Sequence, residues 1–173
     1  MSEVIISNLA ERPEKFEQVM EIFFEASTKK DFASMEERVR FLVKYLGVYV
    51  QSVPELCLIA LQDDQVVGYC CGMHSTPAEL YEQVPHLEIF EDQFEKYGAH
   101  LHINCSAASR GQGIGQKLVA EFEDLMRQEG AEGIHIITSP TARNVHFYKK
   151  LHYDHEVLRE FNKIPLLLLG KTL

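Results

Sequence analysis

The sequence predicts a single α/β domain in which a central mixed sheet carries helices on both faces. Three observations lead there. Two apolar runs, Leu56 to Leu61 and Val66 to Met73, flank Gln62-Asp63-Asp64-Gln65, whose length and chemistry suit an antiparallel hairpin. Through the second half, apolar runs of strand length alternate with stretches of helical spacing. Between the two patterns, Ala99 to Gln116 passes from a strand through a glycine-rich turn into a helix. A chain of 173 residues, 46% of them hydrophobic, has the size and apolar content for one core.

Taken in order, Val4-Ile5-Ile6 is a short strand. Pro13 sits where proline is tolerated at a helix start, ahead of Phe16, Val19, Met20 and Phe23 at helical spacing. A second helix is expected to bury the stripe Val39, Leu42, Val43, Leu46 and Val50. After the hairpin, residues 76–97 open on Thr76-Pro77 and break at Pro85, which predicts two short helices inserted before the next strand. Leu101 to Cys105 alternates as a half-buried strand. From Gly113 to about Gln128, Ile114, Leu118, Phe122 and Leu125 form one helix face, and Gly130 suits the C-terminal cap. Ile134 to Ile137 reads as a buried strand, Ala142 to Leu151 as a helix opened by Pro140 and Thr141, and Tyr153 to Leu158 and Ile164 to Leu169 as the last two strands.

The charge balance narrows the partners. With 26 acidic against 17 basic residues, the formal charge is −9, which disfavours non-specific binding to nucleic acid or to an anionic membrane. An anionic ligand must then be held by local groups. Cys57, Cys70, Cys71 and Cys105 lie in strand-like stretches without paired zinc spacing, so they read as small reduced core residues, with no metal expected. No signal peptide or membrane-length apolar run is evident, and the expectation is a cytoplasmic protein, monomer or homodimer.

Physically, the glycine turn is an anion site. Glycines let the backbone approach a ligand without Cβ clashes, and the N–H groups of a helix start point at phosphate. The dinucleotide pattern G-x-G-x-x-G fails because its last position is Gln116, and Gly170-Lys171-Thr172 lacks the remainder of a phosphate-binding loop. Arg110, Gly113 and Gly115 instead match Q/R-x-x-G-x-G/A, and the turn resembles the acetyl-CoA pyrophosphate loop of the GNAT superfamily of N-acetyltransferases. Asn144-Val145-His146-Phe147-Tyr148-Lys149-Lys150-Leu151-His152-Tyr153 is similar to that family's late helix motif. Shorter phrases, Tyr97 to Ile103, Gly133-Ile134-His135 and Leu169-Gly170-Lys171, resemble the acetyltransferase-like domain of O-GlcNAc hydrolases and its free-standing bacterial relatives.

The resemblance implies a largely antiparallel central sheet of about seven strands, acetyl-CoA as cosubstrate, and an amine acceptor entering over the early helices. It places the pantetheine arm on the backbone of Cys105 and Ala107, in a gap between splayed strands. The amides of Arg110, Gly111, Gln112, Gly113, Ile114 and Gly115 would hold the pyrophosphate. Ala107 stands where many relatives have proline, which leaves the register there less firmly imposed. Asn144, or the Thr141 hydroxyl, is the further CoA contact. His152 replaces the family's glycine, so that helix end is expected to differ in shape.

Asn144 and Tyr148 lie four apart on a helix and so project from one face. Tyr148, with an ordinary pKa of ~10, suits the general acid that protonates a leaving CoA thiolate; its alternative is a core aromatic beside Phe147. His100, His102 and Asn104 share one face of their strand. His102 is the favoured candidate base, with His74 and His135 behind it and a structural histidine as the alternative. Among the basic residues, Arg110, Lys117, Arg143, Lys149 and Lys150 lie near the expected phosphates, Lys117 and Lys149 reading by default as solvated helix charges. The resulting expectation is an acetyl-CoA-dependent N-acetyltransferase acting on a primary amine of a small molecule or protein. Its rivals are a catalytically silent acyl-CoA-binding sensor and a generic fold whose glycines are structural.

Overall fold

A computed structural model describes residues 3–173. Seven strands form one sheet in the order β1-β2-β3-β4-β5-β7-β6: β1 Val4–Asn8, β2 Leu58–Gln62, β3 Gln65–Met73, β4 Ala99–Cys105, β5 Gly133–Thr138, β6 His155–Phe161 and β7 Ile164–Thr172. Pairing is antiparallel for β1 with β2, β2 with β3, β5 with β7 and β6 with β7, and parallel for β4 with β5. The mixed, mostly antiparallel sheet agrees with the sequence. The chain divides into two compact units, residues 1–72 with 102–122, and 73–101 with 123–173.

In the first unit, the β2–β3 hairpin turns at Asp63 and Asp64, whose φ values of 50° and 62° are those of a two-residue turn matching strand twist. Lys15 anchors that turn by donating from Nζ to the Asp64 carbonyl at 2.7 Å and to its carboxylate at 2.8 Å. Pro13–Lys15 forms a 3-10 turn leading into α1, Phe16–Ala26, which buries Val19, Ile22 and Phe23 against Leu46, Ile59, Tyr69 and Cys71. α2, Met35–Leu42, starts on Ser34, whose hydroxyl accepts from the Glu37 amide at 3.1 Å.

The single stripe expected along the second helix is corrected here. A π-turn at Val43–Gly47 separates α2 from α3, Val48–Ser52, and the wider turn rotates the face. Leu46 is fully buried, whereas Val39 and Val43 are 49% and 40% exposed.

The second unit holds the predicted insertion as α4, Glu79–Gln83, and a 3-10 segment, Pro85–Gln93. Its core includes Phe90, Tyr97, Ile134, Tyr153, Leu168 and Leu169. Tyr97 lies so close to Gly133 that a Cβ there would sit 2.8 Å from the ring and 2.6 Å from the Lys96 carbonyl. Arg159 on β6 ties down the 3-10 segment, reaching Asp92 at 2.5 and 2.8 Å and donating also to the Ile89 carbonyl. His155 adds a bond to Gln93 at 2.8 Å.

α5, Ile114–Gln128, buries Ile114, Leu118, Val119, Phe122 and Met126, and Gly130 caps it with φ of 80° as expected. α6 is shorter than predicted, Asn144–Lys150, because Ser139-Pro140-Thr141 forms a turn closed by Ala142 N–H to Ser139 O at 3.0 Å. At its far end His152 takes the left-handed conformation, φ 66°, and so fills the glycine's place with the same backbone sense.

Candidate active site

β4 delivers the chain to the glycine turn. Ser106 still pairs, its N–H donating to the Val67 carbonyl at 3.0 Å. Ala107–Ser109 then forms one 3-10 turn, braced by the Ser106 and Ser109 hydroxyls 2.7 Å apart. Gly111 and Gly113 follow with φ of 78° and 80°, angles that L side chains rarely adopt. A Cβ at Gly111 would meet nothing within 4 Å, so backbone angle and not crowding demands glycine there, and the space in front of the loop is open.

The helix begins immediately. Its first bond runs from the Lys117 amide to the Gly113 carbonyl at 3.1 Å, which leaves the amides of Ile114, Gly115 and Gln116 without partners inside the helix. Those donors head fifteen aligned residues, a field that attracts an anion. The left-handed loop and these amides together suit an anionic group. Arg110 is exposed beside them, with Nε 3.4 Å from the Cys105 carbonyl. Lys117 instead donates to the Val4 carbonyl at 2.6 Å, and Lys149 pairs with Glu156 at 2.7 Å.

His102 belongs to the same unit as the loop. Its Nε2 lies 2.9 Å from the Tyr69 hydroxyl and 3.1 Å from the Asn104 amide nitrogen, which also donates to Tyr69 at 2.8 Å. Because the Asn104 nitrogen only donates, Nε2 is an acceptor and the ring proton sits on Nδ1. Phe23 packs edge-on to the ring. Burial lowers the His102 pKa to about 4 and pushes the Tyr69 phenol well above its ordinary value, so both are neutral near pH 7. Burial likewise raises the Cys105 thiol, against a smaller opposing pull from Arg110.

Tyr69 and Glu25 were not singled out by the sequence. Tyr69 looked like one more apolar residue of β3, and only its alternation opposite a polar strand face hints at the network. Glu25, on the exposed side of α1, accepts from the Ala107 amide at 3.2 Å. Nothing in the spacing connects residues 82 apart.

The remaining predicted residues lie in the other unit. Tyr148 is 3% exposed, with its ring edge-on to both Phe147 and Tyr153. Asn144 is exposed at the first position of α6, where its Oδ1 accepts from the Thr138 hydroxyl at 3.0 Å. The helical spacing therefore gives the two side chains different surroundings. His135 is buried, with Nδ1 2.6 Å from the Tyr97 carbonyl and its ring stacked on Phe94. His100 is buried against Thr76, whose hydroxyl proton goes to the Gly98 carbonyl, so His100 Nδ1–H is the donor between them. Burial, with His135 alongside, lowers the His100 pKa to about 3; burial lowers that of His135 to about 4. His74 is exposed.

All four cysteines are free thiols. Among the described residues no three His, Cys, Asp or Glu side chains are grouped to hold a metal ion, and no helix is long and apolar enough to cross a membrane.

Comparison with known proteins gives a consistent picture. The sequence profile of the acetyltransferase (GNAT) family matches residues 16–153. No curated protein matches at a significant level. Among solved structures, SsHAT superposes with a TM-score of 0.72 at 21% identity, covering 98% of each chain. An N-acetyltransferase from Staphylococcus aureus gives 0.67 at 12% identity over 99% of each. The NatC complex bound to Gag peptide and CoA gives 0.62 at 16% identity over 99% of each. At these identities the likeness concerns the fold.

Proposed function

The chain belongs to the GNAT acetyltransferase family, and from that premise we propose that this acetyl-transferring enzyme acetylates a primary amine of a small molecule or protein, by direct attack with both substrates bound. The observation that carries the reading is the left-handed Gly111–Gly113 turn opening onto amides at the start of α5 that lack partners inside the helix. Acetyl-CoA supplies the activated acyl group as a thioester. In this proposal the amides from Arg110 to Gly115 hold its diphosphate, the backbone of Cys105 and Ala107 orients the pantetheine, and Asn144 is a further contact. Tyr148 donates a proton to the departing sulfur.

His102 is proposed as the base, within a limit set by its pKa. Taking a proton from an alkylammonium ion of pKa ~10.4 onto an imidazole of pKa about 4 costs about 9 kcal/mol, more than the about 5 kcal/mol of releasing it to solvent at pH 7. The amine must therefore arrive neutral. His102 takes its proton only as the C–N bond forms, when that nitrogen has become far more acidic. A CoA-binding domain without turnover is the second reading, favoured by one observation: His102 Nε2 is already engaged by Tyr69 and Asn104.

The test is thermal unfolding with and without acetyl-CoA, on the wild type and on Gly113→Glu. Ligand at a hundredfold over Kd stabilises by about 2.7 kcal/mol, a rise of roughly 5–10 °C for a domain of this size. The expected result is a rise that the folded variant loses. No rise in the wild type at millimolar ligand overturns both readings. Binding with no product across a panel of amines, over pH 7 to 9, favours the silent one.

A further inference from the structure

Glu25 is the penultimate residue of α1, and neighbouring side chains contact the backbone and ring beside it. Lys30 Nζ donates to the Phe24 and Glu25 carbonyls at 3.1 and 2.7 Å, and the Arg38 guanidinium lies 3.9 Å over the Phe24 ring. From that position the carboxylate reaches the site loop, where Oε2 accepts from the Ala107 amide at 3.2 Å. An amide N–H makes one strong hydrogen bond. Whatever ligand takes the Ala107 N–H must first displace Glu25.

We propose that Glu25 is a displaceable latch that sets cofactor affinity: it occupies the amide assigned above to the pantetheine arm and must let go for CoA to seat. This rests on the CoA reading of the site. The reach of the side chain is the essential feature, because an aspartate at the same helix position ends one methylene short of the Ala107 amide. Glu25 and Ala107 are both exposed, so solvent screens their bond and its competition with CoA is worth about two- to fivefold in affinity. A carboxylate beside a polyanionic ligand adds repulsion that salt removes. Chain length and charge can therefore be separated by substitution.

The experiment is calorimetric titration of CoA into the wild type and the variants Glu25→Ala, Glu25→Asp and Glu25→Gln at 0.3 M salt, together with hydrogen exchange at the Ala107 amide without ligand. The latch predicts two- to fivefold tighter CoA binding and faster Ala107 exchange in the Ala and Asp variants. The Gln variant, which keeps an acceptor oxygen of the same reach, stays within twofold of wild type. Equal affinity in all four proteins, or unchanged Ala107 exchange, overturns the latch and leaves the CoA reading intact. Tighter binding by Ala and Gln with Asp unchanged assigns the effect to charge and also overturns it. If the wild type binds no CoA at millimolar concentration, both fall together.

Discussion

Tyr148 is where a catalytic role and a packing role meet in one side chain. Its ring contacts, to Phe147 and Tyr153, are those of a core aromatic, and phenylalanine would keep them. The proposed chemistry needs only the hydroxyl. Tyr148→Phe is therefore expected to lower kcat about a hundredfold while CoA affinity holds and stability changes by no more than about 1 kcal/mol. Steady-state kinetics beside a CoA titration check this, and a kcat within threefold of wild type returns Tyr148 to the core. At this scale the glycines were legible because a φ near 80° leaves almost no other residue. Tyr69 and Glu25 were not, since their partners arrive from 33 to 82 residues away. Side-chain pairing at that distance has no local signature. Strand alternation singled out His102 but said nothing of its basicity, because burial, which lowers its pKa, is a property of the packed chain.

Elements were legible where one physical rule dominates. The Asp63-Asp64 turn, Pro13 at a helix entry and Gly130 at a helix exit each have a short list of permitted conformations. The π-turn at Val43–Gly47 was not legible, because its sequence keeps ordinary helical spacing and only the packing of Leu46 shows the rotation. The 3-10 segment Pro85–Gln93 poses a different question, since so short-ranged a structure needs outside support. Arg159 supplies it, and the guanidinium holds the Asp92 carboxyl well below the usual carboxylate range. Both groups are exposed to solvent, so the expected loss of global stability from Arg159→Ala is small. The local effect should be larger: amide exchange across 85–93 is expected to accelerate at least tenfold, with the glycine turn unaffected. Uniform acceleration over the whole chain, or none, would show that the segment does not depend on this tie.

For the whole molecule the relevant charge is the one it refuses to carry. His100 and His135 are buried and His102 is half-buried, and all three are neutral near pH 7, with pKa values of about 3, 4 and 4 for His100, His102 and His135 against an ordinary 6.5. A histidine whose folded pKa lies below its unfolded value binds its proton first in the unfolded chain. Stability is then complete above about pH 6.5 and falls on acidification until the folded pKa is reached. Carboxylates held low by partners, Asp64 by Lys15 and Arg12 and Asp92 by Arg159, lose their contribution only at lower pH, below the ordinary carboxylate range. Between pH 6 and pH 5 each imidazole costs on the order of 1 kcal/mol, so the three together weigh against the 5–15 kcal/mol typical of a domain. Urea unfolding at half-unit steps from pH 7 to 5 should show ΔG falling with a slope that approaches three protons. His102→Gln should bring it toward two. A urea midpoint that stays constant across this window would mean that these rings accept protons in the folded chain, and the limit that a lowered pKa sets on His102 as a base would be lifted.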